Sequence, residues 1–293
     1  MKKPSILSGI GLPVLIMVLI FALVVTAFTA KANDKPIEQK TAYTFSTTPT
    51  LYIHGSGGGA GSTNQMIAAA ESAGAATRTV TLTVSAKGNV TVSGTWKSGS
   101  VNPLVQIVFQ DNNNSDFKTT TQWMRSVLET LQKKYNVQTF NVVAHSMGNL
   151  VLMNYLLTYG QNKDLPQLQK QISIAGNFDG TLGEEDSSNV NQLDQNGRPL
   201  LMNADYNSML ARQATYPYKQ VQVLNIIGDL NDGSHSDGRV SYASAASLQY
   251  LLGGREKTYH QVVLKGANAQ HSKLHENSQV DELIAGFLWG KDK

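Results

Sequence analysis

The sequence contains no cysteine. That excludes disulfides, thiolate metal sites and a cysteine nucleophile, while leaving the compartment open. Charge is also sparse. Only 15% of residues are Asp, Glu, Lys or Arg, against a usual share of about 25%. Asn, Gln, Ser and Thr carry much of the polarity instead. The net charge of +3 has a local origin. Lys2, Lys3 and Lys31 lie in an N-terminal stretch without acids, so the rest of the chain is balanced. No Lys/Arg cluster interleaved with aromatics occurs, so the composition gives no reason to expect a nucleic-acid partner. The length of 293 residues suits one α/β domain of about 250 residues rather than two equal ones.

One run is strongly apolar. Lys2-Lys3 precede an uncharged stretch from Pro4 to Ala30, and Ala30-Lys31-Ala32 follows as a small-x-small site. This is the order of a signal peptide, although the apolar part approaches the roughly 20 residues that span a bilayer. Residues 1–32 are therefore expected to be a signal peptide or an uncleaved anchor. The flanking lysines favour an outside domain, extracellular or at the cell surface. If uncleaved, this segment supplies the contact with membrane. Residues 33–50, polar and Thr-rich, are expected to tether a domain over 51–293.

The chemistry gathers around Phe140-Asn141-Val142-Val143-Ala144-His145-Ser146-Met147-Gly148-Asn149. A short β-prone run ends abruptly, and an apolar run of helical length begins at Leu150. Ser146 sits at the turn, with small residues two before and two after it. Upstream, Leu51-Tyr52-Ile53 reads as a buried strand ending in His54-Gly55-Ser56-Gly57-Gly58-Gly59. A phosphate loop would need a Lys-Ser/Thr pair that is missing, and the glycine spacing does not fit a dinucleotide fingerprint. Downstream, a strand over 221–227 leads into a loop with Asp229, Asp232 and Asp237. The last strand, 260–264, leads to His271-Ser272-Lys273-Leu274-His275.

Ala144-x-Ser146-x-Gly148 resembles the nucleophile elbow of the α/β-hydrolases, with Ala for the first Gly. The His-Gly-rich loop resembles the oxyanion loop of lipases and esterases. Asp237-Gly238-Arg239-Val240 resembles the lipase segment that carries the triad acid. Together with the N-terminal stretch, these motifs look like an uncharacterised family of bacterial cell-surface α/β-hydrolases. The resemblance covers nearly all of the chain past residue 50. It implies a mostly parallel sheet with helices on both faces, and a triad of Ser146, Asp237 and His271 in the Ser…Asp…His order. Asp229 is second choice for the acid and Asp179 a more distant one. Ser56 and Met147 would give the oxyanion amides.

The implied reaction is acyl transfer from an ester, small-molecule or lipid, to water, with no cofactor and no metal. Thioester or amide cleavage uses the same machinery. Two further classes fit the pattern: an acyltransferase to surface acceptors, and a non-catalytic binding protein on a hydrolase fold. His54 is expected to pack its loop. His145 leaves the elbow in another direction from Ser146, His275 is expected beside the site or at the surface, and His235 and His260 in loop and strand roles.

The remaining elements follow from periodicity. A helix is expected over 63–73, and a hairpin over 79–84 and 89–92 with its turn at Lys87-Gly88-Asn89. Further strands are expected over 104–109 and 171–175. Further helices are expected after Asp116, over 241–252 and through Val280 to Leu288. The cluster Asp111 to Asn114 reads as a solvated turn. Residues 177–218 form a polar insertion in which Tyr206, Met209 and Leu210 are candidates for lining a pocket.

Overall fold

A computed structural model describes residues 43–290. The expected signal peptide or anchor and most of the expected tether lie outside the described residues. Among the described residues no helix is long and apolar enough to cross a membrane.

Eight strands of the described residues form one sheet: β1 (Thr50–Ile53), β2 (Thr77–Val84), β3 (Val90–Gly94), β4 (Pro103–Phe109), β5 (Thr139–His145), β6 (Gln167–Ile174), β7 (Gln222–Asp229) and β8 (Thr258–Lys265). Their order across the sheet is β3-β2-β4-β1-β5-β6-β7-β8. Every neighbouring pair is parallel except β2 with β3, the hairpin expected from alternation. Among the described residues seven α-helices accompany them: α1 (Gly61–Ser72), α2 (Phe117–Tyr135), α3 (Met147–Tyr159), α4 (Ala204–Leu210), α5 (Tyr242–Ala246), α6 (Leu248–Leu252) and α7 (Ser278–Trp289).

Strand residues alternate between two apolar layers, as the pleat requires. Leu51 and Ile53 join the layer with α2 and α3, through Trp123, Val127, Val151 and Met153. Tyr52 and Val143 join the layer with α1 and α7, through Met66, Ile67, Val280 and Ile284. The helices therefore cover both faces. Helix α2 is fixed at both ends: Asp116 accepts a bond from the Lys118 amide, and Asn136 closes the last turn in the left-handed region at φ 54°. Helix α3 is buried from Met147 to Leu157. A helix apolar on all sides belongs in the middle of a core.

One expectation is corrected. The single helix over 241–252 is two short ones meeting at Ser247. The Ser247 hydroxyl bonds the Ser244 carbonyl at 2.7 Å, and its carbonyl takes the Tyr206 hydroxyl at 3.0 Å. Side-chain competition of this kind interrupts a helix. Tyr206 and Met209 are buried in the core on the α3 side of the sheet, and Leu210 packs against it. The insertion that carries them is held by Asp179, which accepts bonds from the Asn203 amide and the Asn191 side chain, both at 2.9 Å.

Residues just before β1 are fastened too. Tyr43 bridges to Gly290, the Thr44 amide bonds Trp289, and Asn102 holds Thr44 and Ser46.

Candidate active site

Ser146 lies between β5 and α3 with φ 50° and ψ −129°, a conformation unfavourable for a residue with a Cβ. It persists because its surroundings determine it. The Ser146 amide bonds the Ile174 carbonyl on β6 at 3.0 Å. Asn149 is wholly buried, and its side-chain amide reaches the carbonyls of Ala144, Ser146 and Ile174 at 3.1–3.2 Å. The small residues have steric reasons. A Cβ on Gly148 would lie 2.7 Å from the His54 carbonyl oxygen, and one on Gly55 would lie 2.8 Å from the Ser146 Cβ. The elbow is thus pressed against the end of β1 as well as between β5 and α3.

His271 follows β8, in a short 3-10 turn over His271–Glu276. Its Nε2 lies 3.0 Å from Ser146 Oγ, and its Nδ1 lies 2.8 Å from Asp237 Oδ2. A carboxylate only accepts, so Nδ1 carries the hydrogen and Nε2 is left to accept from the Ser146 hydroxyl. Asp237 is 1% exposed, His271 8% and Ser146 9%. The second oxygen of Asp237 accepts from the amides of Arg239 and Val240, at 2.8 and 2.7 Å. Gly238, at φ 87°, lets the chain fold back to make these bonds. The Asp237 main-chain carbonyl takes the His271 amide at 2.9 Å.

The competing carboxylates are engaged elsewhere. Asp229 accepts from the Asn231 amide, Asp232 from the Ser234 amide, and Asp179 holds the insertion. Burial pushes the Asp179 carboxyl up to about 6.

The remaining histidines divide by place. His54 is buried at the end of β1, where its Nε2 accepts from the Phe109 amide at 3.0 Å. Burial lowers its pKa. His145 turns away from Ser146 and donates Nε2–H to the His271 carbonyl at 3.0 Å. Its ring lies 4.8 Å from that of His271 and 4.9 Å from that of His275. Burial first, then the neighbouring His271 and His275, holds its pKa well below the ordinary histidine value. Burial also lowers His275. His260 packs edge-on against Phe287. The bonds of Asn149 to Ile174 and of His145 to His271 had no local signal, because those carbonyls lie far away in sequence.

Ser56 and Met147 flank Ser146 in the wall of a cleft of about 590 Å³. The Met147 amide, in the first turn of α3, has no carbonyl four residues back within its helix. The Ser56 side chain bonds Asn113 at 2.9 Å, and the Gly57 amide bonds the Asn112 carbonyl at 3.0 Å. Asn112 and Asn113 therefore serve as a scaffold for the glycine loop. Among the described residues no group of three or more His, Asp or Glu is arranged to hold a metal.

A mainly parallel sheet with one antiparallel edge hairpin, covered on both faces and carrying a strained serine between strand and helix, defines an α/β-hydrolase. The sequence agrees at family level. The chain belongs to the family described as alpha/beta hydrolase of unknown function, DUF915, whose profile matches residues 38–291. No curated protein matches it. Among solved structures, the product of a Listeria innocua gene is 24% identical, with a TM-score of 0.71 over 83% of this chain and 94% of that one. A candidate cell surface hydrolase from Lactobacillus plantarum is 20% identical, with a TM-score of 0.65 over 82% of this chain and 91% of that one. Both likenesses bear on the fold.

Proposed function

We propose that the protein is a serine hydrolase, secreted or held at the cell surface, that cleaves a carboxylic ester through an acyl-enzyme on Ser146. The observation that carries this reading is the unbroken relay from Asp237 through His271 to the Ser146 hydroxyl, at 2.8 and 3.0 Å. His271 takes the Ser146 proton as Oγ attacks the ester carbonyl. Asp237 keeps the imidazole in the required tautomer and stabilises it when charged. The amides of Ser56 and Met147 receive the developing oxyanion, each worth about 3–4 kcal/mol of barrier. His271 returns the proton to the leaving alcohol, and water then releases the acid by the same route. The N-terminal pattern of lysines, apolar run and small-x-small site supports an outside location.

A fluorophosphonate probe is expected to label wild-type protein and not Ser146→Ala. Release of p-nitrophenol from p-nitrophenyl acetate should vanish in the same variant. A wild-type protein that is folded, unlabelled and inert towards activated esters would end this reading.

A further inference from the structure

Small-molecule sites are ordinarily lined by apolar and aromatic side chains with a few polar groups among them. The cleft before Ser146 has the opposite character. Of its apolar members, Met147, Leu150 and Phe178 are each at most 7% exposed, so they offer little apolar surface, and Phe117 is half-buried. Met147 and Leu150 stand in the first turn of α3, immediately after Ser146. The small apolar surface of these two thus lies next to the reacting hydroxyl, where a short acyl group would sit.

The rest of the wall includes Asn113, Asn203, Glu185, Asp205 and the Arg239–Glu184 pair, whose charged groups are 3.2 Å apart. A second cavity of about 310 Å³ shares Phe117 and Asp205 with the first and adds Lys118, Gln122, Asn154 and Arg212. The two adjoin at these shared residues and together offer more room than a small ester needs. A long acyl chain lying in it would displace water from carboxylates and amides without replacing the hydrogen bonds. A chain of hydroxyl groups would replace them. Carboxylate, amide and guanidinium groups are planar and bear paired acceptors or donors, which suits adjacent hydroxyls. The half-buried Phe117 supplies an aromatic side chain where the cavities meet.

We infer that the natural substrate is an ester of acetyl size on a polyhydroxylated, carbohydrate-like carrier, and not a lipid. This inference rests on the serine-hydrolase reading above. The bond from the carbonyl carbon to Ser146 Oγ forms as its bond to the carrier oxygen breaks, and that oxygen leaves as a hydroxyl with the proton from His271. Water then takes the acyl group. One ester and one water thus yield one carboxylic acid and one free hydroxyl.

The test uses the full chain with p-nitrophenyl acetate, p-nitrophenyl octanoate, an acetylated oligosaccharide and a long-chain triglyceride emulsion. The acetate ester is expected to exceed the octanoate at least tenfold in kcat/KM. The oligosaccharide should release acetate, and the emulsion should release no fatty acid. In Asp205→Ala and Phe117→Ala, the ratio of kcat/KM for the oligosaccharide to that for p-nitrophenyl acetate should fall at least fivefold. Preference for octanoate, fatty-acid release, an inert oligosaccharide or an unmoved ratio, with Ser146 still labelled by fluorophosphonate, would overturn the substrate class and leave the hydrolase reading standing. An unlabelled Ser146 with no turnover of any ester would remove both.

Discussion

Exchanging Asp237 for asparagine alters one charge and almost no volume, and the surroundings of the carboxylate dictate the outcome. One of its oxygens is held by the amides of Arg239 and Val240, at 2.8 and 2.7 Å. Two N–H donors require an acceptor there, so an asparagine must place its oxygen in that position. Its NH₂ group is then turned to His271 Nδ1, where the carboxylate stood at 2.8 Å. Two donors cannot face each other, so the imidazole must move its hydrogen to Nε2. That nitrogen, 3.0 Å from Ser146 Oγ, then donates to the hydroxyl and cannot take its proton. In a serine protease the corresponding exchange lowers kcat about ten-thousandfold, or about 5 kcal/mol of barrier. A fall of that order is expected for Asp237→Asn in kcat/KM on p-nitrophenyl acetate, with little change in the melting curve because the backbone bonds survive. Asp229→Asn is the control and should stay within about threefold, since nothing couples that carboxylate to the imidazole. An Asp237→Asn protein within tenfold of wild type, or a greater loss in Asp229→Asn, would refute the reasoning.

Gly148→Ala must fit a methyl group 2.7 Å from the His54 carbonyl oxygen, and neither backbone moves freely. It should cost about 1–3 kcal/mol of stability in denaturant titration. His145→Phe keeps a ring but loses the bond to the His271 carbonyl. Its kcat/KM should drop roughly tenfold, the worth of one buried hydrogen bond. His145 also titrates lower when folded than when unfolded. Its contribution to stability is therefore present above the unfolded value of about 6.5 and lost as pH falls below it. The melting-temperature advantage of wild type over His145→Phe should accordingly shrink from pH 7 to pH 5. Asp179 has the opposite sign: its pKa is raised on folding, to about 6, so protonation favours the native state. Relative to Asp179→Asn, wild type should gain stability as pH falls from 7 to 4.

What was legible in the sequence was what local pattern carries. The alternation over 79–92, the strand-to-helix change at Ser146 and the apolar face of α7 each arise from neighbours in the chain. Asp237 was legible because its anchors are the next residues but one and two, so the segment bears its own signature. Asn149 and His145 act on carbonyls of Ile174 and His271, and no local spacing encodes those meetings. The strand β6 begins at Gln167, four residues earlier than its apolar run, since Leu168 is its only early buried member. The helix break at Ser247 depends on a tyrosine hydroxyl from a different segment. The polar insertion was visible as composition, while its attachment through the buried Asp179 was not.

The bridge between Tyr43 and Gly290 makes the first and the last of the described residues neighbours. Tyr43 leads into β1 at the end opposite the one that reaches His54, so this meeting point lies across the sheet from the serine. A fluorescent protein or surface linker fused directly at Tyr43 or at Gly290 would depart from a single spot and leave the mouth of the cleft unobstructed. The same closeness suits a ring-closed or permuted form of residues 43–290, because a short loop suffices to join those two positions.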